Sequence, residues 1–140
     1  MGCVFCEIIN GERPAHMVFE AADAVGFLDT RPLFKGHTLV VPRAHHETLL
    51  DLPEGDVGPF FQHVRAVAGA VERGLGAAGS FIAENNRISQ SVPHLHVHVV
   101  PRNPKDGLRG FFWPRHKYDS DEEAAGYADR LAKALGEGAS

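Results

Sequence analysis

The tract Pro93-His94-Leu95-His96-Val97-His98-Val99-Val100-Pro101-Arg102 constrains this chain more than any other. Three histidines stand at alternate positions with aliphatic residues between them. In an extended strand, residues i, i+2 and i+4 share one face. The spacing therefore predicts a strand over 94–100. Leu95, Val97 and Val99 would turn to a core, and His94, His96 and His98 to the opposite side. One half-buried histidine is ordinary. Three in register, about 6–7 Å apart, repeat the same desolvation and, when protonated, repel one another. Packing alone has no use for such a face. Two chemistries do. One is a metal site, since imidazoles on a strand are good ligands. The other is attack on an anion, with a neutral imidazole as nucleophile and a neighbour as donor to phosphate oxygens. Ser89-Gln90-Ser91, just upstream, supplies hydroxyls, an amide and backbone N–H groups suited to a phosphate. No Asp or Glu stands beside the triad at ligand spacing, which also favours the second chemistry.

The rest of the chain bounds what can surround this strand. Its 140 residues suffice for one domain with its own core. With 44% hydrophobic and 23% charged residues, it reads as globular. No apolar run approaches the roughly 20 residues of a membrane helix. The N-terminus lacks the basic and apolar regions of a secretory signal. Met1-Gly2 raises myristoylation, but Phe5-Cys6 stands where that signal wants Ser or Thr. Fourteen basic against eighteen acidic residues give a formal charge of −4, which excludes a strongly basic nucleic-acid footprint but not a small anionic substrate. Residues 17–20 and 24–28 read as a hairpin and 38–41 as a strand ended by Pro42. An apolar stripe from Val57 to Leu75 predicts a helix over 53–75, with Asp51 as N-cap and Pro53 as first residue. A strand over 80–84, a polar loop over 85–91 and a C-terminal helix opened by Ser120-x-x-Glu123 complete the reading. The fold class expected is α+β around an antiparallel sheet.

Only two cysteines are present, Cys3 and Cys6, so a disulfide framework is excluded. Cys-x-x-Cys at the very N-terminus lacks the preceding strand of a thioredoxin-like redox motif. A tetrahedral site needs four ligands. His45, after the 38–42 strand, and His94 would supply the other two, with His46 as an adjacent competitor. Two free thiols are the alternative, and spacing leaves both open. His37 opens a strand and is either within reach of the triad or a turn residue. His16, His63 and His116 receive no role.

His94-Leu95-His96-Val97-His98-Val99-Val100 resembles the signature of the histidine triad (HIT) nucleotide hydrolases and transferases. Cys3 to Glu12, Val25 to Asp29 and Lys35 to Pro42 resemble further blocks of that family, in the same order, from about residue 3 to 102. The resemblance implies a single HIT domain over 1–140 with its core at about 3–102. The segment 103–140 would be a C-terminal aromatic stretch and helix. It implies an antiparallel sheet with two main helices, and a homodimer with the helix at 53–75 in the interface. It also implies attack of His96 on the α-phosphorus of a nucleotide, a nucleotidyl-histidine intermediate and release by water. By the same resemblance His98 contacts the phosphate oxygens. His37 lies near the triad as a supporting or proton-relay group. The carbonyl of His94 orients the His96 ring. Cys3, Cys6, His45 and His94 match the ligands of a structural zinc, and no catalytic metal is required. Asp29 matches the carboxylate that holds the ribose hydroxyls, and Phe5, Ile8 and Phe27 the walls around the base, with plain core packing an equal reading for Ile8. Asn85 or Asn86, Gln90 and Ser91 match polar groups around the phosphates. Two departures stand out: Ser89 replaces the glycine that precedes the Gln, and the loop is one or two residues shorter. The partner implied is a small-molecule purine nucleotide in the cytoplasm, with no nucleic acid or membrane partner.

Two rivals remain: a nucleotide-binding sensor with little activity, and a catalytic metal on the triad itself. Phe111-Phe112-Trp113-Pro114-Arg115 is the remaining unusual tract. Trp113 and Arg115 would either tune the leaving-group side or anchor the tail.

Overall fold

The computed structural model describes residues 2–108 and 115–138. The chain divides into two compact units, Met1–Asp106 and Gly107–Ser140. In the first, helix α1 (Val4–Ile9) is followed by strands β1 (Met17–Glu20), β2 (Ala24–Leu28) and β3 (Thr38–Pro42). A short 3-10 turn (Leu49–Asp51), helix α2 (Glu54–Leu75), and strands β4 (Gly79–Ala83) and β5 (Val97–Arg102) come next. The five strands form one antiparallel sheet in the order β1-β2-β3-β5-β4. The α+β expectation holds.

Alternation along the strands divides the core between the two faces of the sheet. On one face Ala24, Val40, Leu95, Val97 and Val99 pack with Phe60, Val64, Val67 and Val71 of α2. On the other, Val25, Phe27, Leu39 and Val41 pack with Phe5 of α1. Register then sets the position of the triad strand. Phe27 pairs with Leu39, and Leu39 with His98, so His98 continues an apolar row on the α1 face.

Helix α2 carries Pro59 in its second turn. A proline there removes a ladder N–H and is unfavourable by roughly 3 kcal/mol. Burial of four large side chains, at roughly 1.5–3 kcal/mol each, outweighs it. The helix ends at Gly76, whose φ of 69° is the left-handed cap that a side chain would strain.

Three boundaries differ from expectation. Pro53, not Asp51, is the N-cap of α2; Asp51 closes the preceding turn, its carboxylate accepting from the Thr48 N–H and hydroxyl. Strand β5 begins at Val97, not at His94. The His94 N–H bonds to the carbonyl of Val92, and that of Leu95 to the carbonyl of His46, so residues 94–96 follow the 45–46 segment before joining the ladder. Strand β4 lies one residue earlier than expected. Helix α1 was not expected at all.

In the second unit, helix α3 (Asp121–Gly138) forms one half of the capping box its sequence suggests, and the other half shifts by one residue. The Ser120 hydroxyl accepts from the N–H of Glu123, and the Glu123 carboxylate accepts from that of Asp119. Residues 111–114 lie outside the described residues, so the aromatic tract has no structural account; Arg115 is exposed.

Leu95 is fully buried between the triad and α2, whereas Leu50 is 73% exposed. Leu95→Ala is expected to destabilise the chain by about 3–5 kcal/mol. Leu50→Ala should change stability by less than about 0.5 kcal/mol. Urea denaturation measures both.

Candidate functional site

Helix α1 is short, and its N-cap is Cys3, whose sulfur accepts from the N–H of Cys6. That turn places both thiols against the start of the triad. Cys3 Sγ lies 3.4 Å from His94 Nδ1, and Cys6 Sγ lies 3.6 Å from the same nitrogen and 3.4 Å from His45 Nδ1. All four donor atoms fall within 4.8 Å of one another. A tetrahedral ion with bonds of about 2.3 Å to sulfur and 2.0–2.1 Å to nitrogen sets S···N separations near 3.6 Å. The donor set and its spacing thus fit such an ion. Outer contacts agree. His94 Nε2–H donates to the carbonyl of Pro42 at 2.9 Å, so Nδ1 presents its lone pair to the thiols. Burial, reinforced by Cys3, raises the Cys6 thiol to about 11, and burial holds His94 down at about 4. His46 is not among the four.

His96 is oriented by the backbone one step away. Its Nδ1–H donates to the carbonyl of His94 at 2.8 Å, which leaves Nε2 with a lone pair. The Phe5 ring meets the imidazole edge-on at 5.0 Å. Burial lowers the pKa of His96, with the His94 carbonyl and Asp29 opposing. The neutral, nucleophilic form therefore persists at neutral pH.

His98 contacts His96 ring to ring at 5.1 Å, and its Nδ1 lies 2.9 Å from His37 Nε2. Burial, then the neighbouring His96 and His37, lower His98 to about 4. His37 is 3% exposed and also lowered by burial, with Asp29 opposing. Asp29 Oδ1 accepts from the N–H of Arg31 at 2.9 Å; Oδ2 lies 3.7 Å from His37 Nε2, beyond hydrogen-bond reach. His94 presents its free nitrogen to the thiols, so the three triad imidazoles do not converge on one centre.

A cleft of about 520 Å³ opens beside these groups. Phe5, Ile8 and Phe27 form apolar wall, Asp29 lies on one side, and His96, His98 and Ser91 line it as well. His37 is not a lining residue; it backs His98. The other loop residues singled out from sequence are engaged by hydrogen bonds, some within the loop and some to residues 47 and 49. The Asn86 side-chain oxygen accepts from the N–H of Leu49, and Asn85 donates to the carbonyl of Ser89. Gln90 accepts from the N–H of Arg87 and donates to the carbonyl of Glu47. Ser89 stands at φ 61° and Arg87 at φ 70°. Ser89 thus occupies the left-handed region that glycine adopts without strain. Two cationic lining residues, Arg13 and Arg31, were not foreseen. Arg31 had a local signal, since it follows Asp29 by two residues and its N–H closes an Asx turn. Arg13 had none; it reaches the site from the end of α1, paired with Glu7 at 3.0 Å.

The HIT domain matches residues 10–105. The chain is 33% identical over 130 residues to the adenylylsulfatase of Arabidopsis thaliana, covering 88% of this chain and 64% of that protein. It is 31% identical over 126 residues to the adenosine 5'-monophosphoramidase of Candida albicans, covering 86% and 83%. Among solved structures, a HIT family member from Bacillus subtilis superposes with a TM-score of 0.87 at 32% identity, covering 95% of this chain and 96% of that one. A zinc-bound histidine triad protein from Mycobacterium smegmatis does so with a TM-score of 0.73 at 38% identity, covering 100% and 99%.

The depressed histidines predict an acid-sensitive fold. His98 holds a proton less readily folded, at about 4, than unfolded, near 6.5. The stability it contributes is complete above pH 6.5 and is lost as pH falls through that window; His37 acts in the same direction. Urea midpoints should drop from pH 7 to 4, and His98→Asn should flatten the slope between pH 6.5 and 5. An unchanged slope in the variant would remove His98 as a source.

Proposed function

The chain belongs to the HIT family, and from that premise we propose that it is a nucleotide-binding hydrolase acting at the α-phosphate of a purine nucleotide adduct. The observation that carries this reading is the His96 ring, with Nδ1–H fixed on the His94 carbonyl at 2.8 Å and Nε2 free beside the cleft.

Nε2 of His96 attacks the α-phosphorus. A P–N bond forms, the bond to the leaving group breaks, and its electron pair departs with that group. Water then attacks the same phosphorus, the P–N bond breaks, its pair returns to Nε2, and the nucleoside monophosphate leaves with one proton of the water on its phosphate and the other released to solvent. The His98 imidazole contacts the phosphoryl oxygens as charge develops. Asp29 receives the ribose hydroxyls, and Phe5, Ile8 and Phe27 hold the base. Ser91, which lines the cleft, receives the phosphates, while Asn85, Asn86, Ser89 and Gln90 shape the loop that carries it. The two named relatives differ in leaving group, sulfate against amine, and share the adenylyl half. That common half supports a site built for a nucleoside 5'-phosphoryl group.

Cys3, Cys6, His45 and His94 would hold a zinc ion. When bound, it supplies structure rather than chemistry, joining α1 to the start of the triad. The steps above need no metal. Family resemblance supports one HIT domain per chain and a homodimer through α2 in the cytoplasm.

A hydrolysis panel tests the reading: adenosine phosphoramidate, adenylyl sulfate, an aminoacyl adenylate, dinucleoside polyphosphates and the guanosine counterparts. His96→Ala should lose turnover by roughly a thousand-fold or more. Wild type that binds nucleoside monophosphate but turns over nothing in the panel would instead favour a sensor. Chelation should release about one zinc per chain and lower the Tm, because metal binding and folding are coupled.

A further inference from the structure

The two triad histidines at the cleft have opposite proton assignments, and for His98 the assignment starts outside the triad. The N–H of Leu33, on the loop between β2 and β3, donates to His37 Nδ1 at 3.1 Å. A backbone amide can only donate, so His37 Nδ1 must carry a lone pair. A neutral His37 then bears its proton on Nε2. That nitrogen lies 2.9 Å from His98 Nδ1 and donates to it. His98 Nδ1 is therefore an acceptor, and its proton resides on Nε2, the one polar ring atom left to a ligand. The reverse assignment would require a His37 with no proton on either nitrogen.

We propose that the Leu33 amide is a positioning group for the reaction, fixing His98 as a neutral N–H donor beside the lone pair of His96. The catalytic half of this rests on the function proposed above; the proton assignment does not. Both cleft imidazoles follow the same device with opposite sign. A backbone carbonyl takes the Nδ1 proton of His96 and exposes a nucleophilic Nε2. A backbone amide, acting through His37, exposes an Nε2–H on His98. The chain Leu33–His37–His98 ends in an amide that does not ionise. It therefore orients a donor and does not carry protons away. A His98 that gave up its Nε2 proton would have to draw one from His37, leaving that ring anionic.

The wiring has a second consequence. Asp29, His37 and His98 place one ligand atom each within 4.8 Å of one another. The His37 Nε2 proton withholds that nitrogen from a metal, which separates this cluster from the one formed by Cys3, Cys6, His45 and His94.

The ring nitrogens report the assignment directly. In the intact protein with nitrogen-15 histidine, His98 should show an unprotonated Nδ1 and a protonated Nε2 at neutral pH. The N–H of Leu33 is then deleted in two ways. Leu33→Pro removes it genetically. An ester at position 33, introduced by incorporating the α-hydroxy analogue of leucine, removes it without touching the side chain, and serves where the proline variant does not fold. Either should move both His98 nitrogens toward averaged values. Leu33→Ala, which keeps the amide, should retain the wild-type signature. For a panel substrate that wild type hydrolyses, the ester should lower kcat about ten-fold with KM little changed. A wild-type His98 protonated at Nδ1, or an ester variant with the signature intact, overturns the assignment. A shifted signature with kcat unchanged overturns the positioning role. A shifted signature in a protein that turns over nothing leaves the assignment standing and overturns the proposed function.

Discussion

His94 is wholly buried, and each of its polar groups has one partner type. Its N–H goes to the carbonyl of Val92, its Nε2–H to the carbonyl of Pro42, its Nδ1 faces the thiols, and its own carbonyl receives His96. An unpaired polar atom at that depth would be unfavourable by about 1–3 kcal/mol, so the arrangement is fixed by necessity rather than preference. It joins two chemistries that would otherwise be independent. Whatever seats the imidazole against the cysteines also seats the peptide that orients His96, the proposed nucleophile. Helix α1 and its N-cap bring Cys3 and Cys6 against His94 Nδ1 and set the Phe5 ring 5.9 Å from the same imidazole.

Burial does the remaining electrostatic preparation. His37, His94, His96 and His98 all lie in surroundings that disfavour charge, and each is lowered. Adjacent imidazoles that were protonated would repel one another across about 5 Å, as the His96–His98 ring separation shows. Kept neutral, they differ only in which nitrogen carries the proton, and backbone groups decide that. The result is a lone pair and an N–H donor side by side, His98 held by the register of β5 with Leu39 and His96 by the segment that leads into that strand.

Much of this was legible from sequence because it rests on period-two alternation. His98 and its apolar partners Val97 and Val99 fall where the pattern puts them, and β2, β3 and α2 are recognisable from apolar spacing. Helix α1 was not, since six residues span fewer than two turns and show no period. Nor was the late start of β5, because Leu95 takes its partner from His46, a pairing that depends on tertiary structure. The grouping of Cys3 and Cys6 with His45 and His94 was in view from the residues, but spacing left it level with two free thiols, and resemblance decided between them. The loop residues illustrate the converse. Asn86 and Gln90 carry the right functional groups, but backbone groups of Leu49, Arg87 and Glu47 engage them, and no local pattern announces that.

In the proposed mechanism, hydrolysis runs through His96 in two displacements. Each in-line displacement inverts the configuration at phosphorus. A substrate whose α-phosphorus is made chiral with sulfur, hydrolysed in oxygen-18 water, records how many occur. Net retention in the nucleoside thiophosphate product is the predicted result. Net inversion would mean that water attacks directly, and would contradict a nucleotidyl-His96 intermediate.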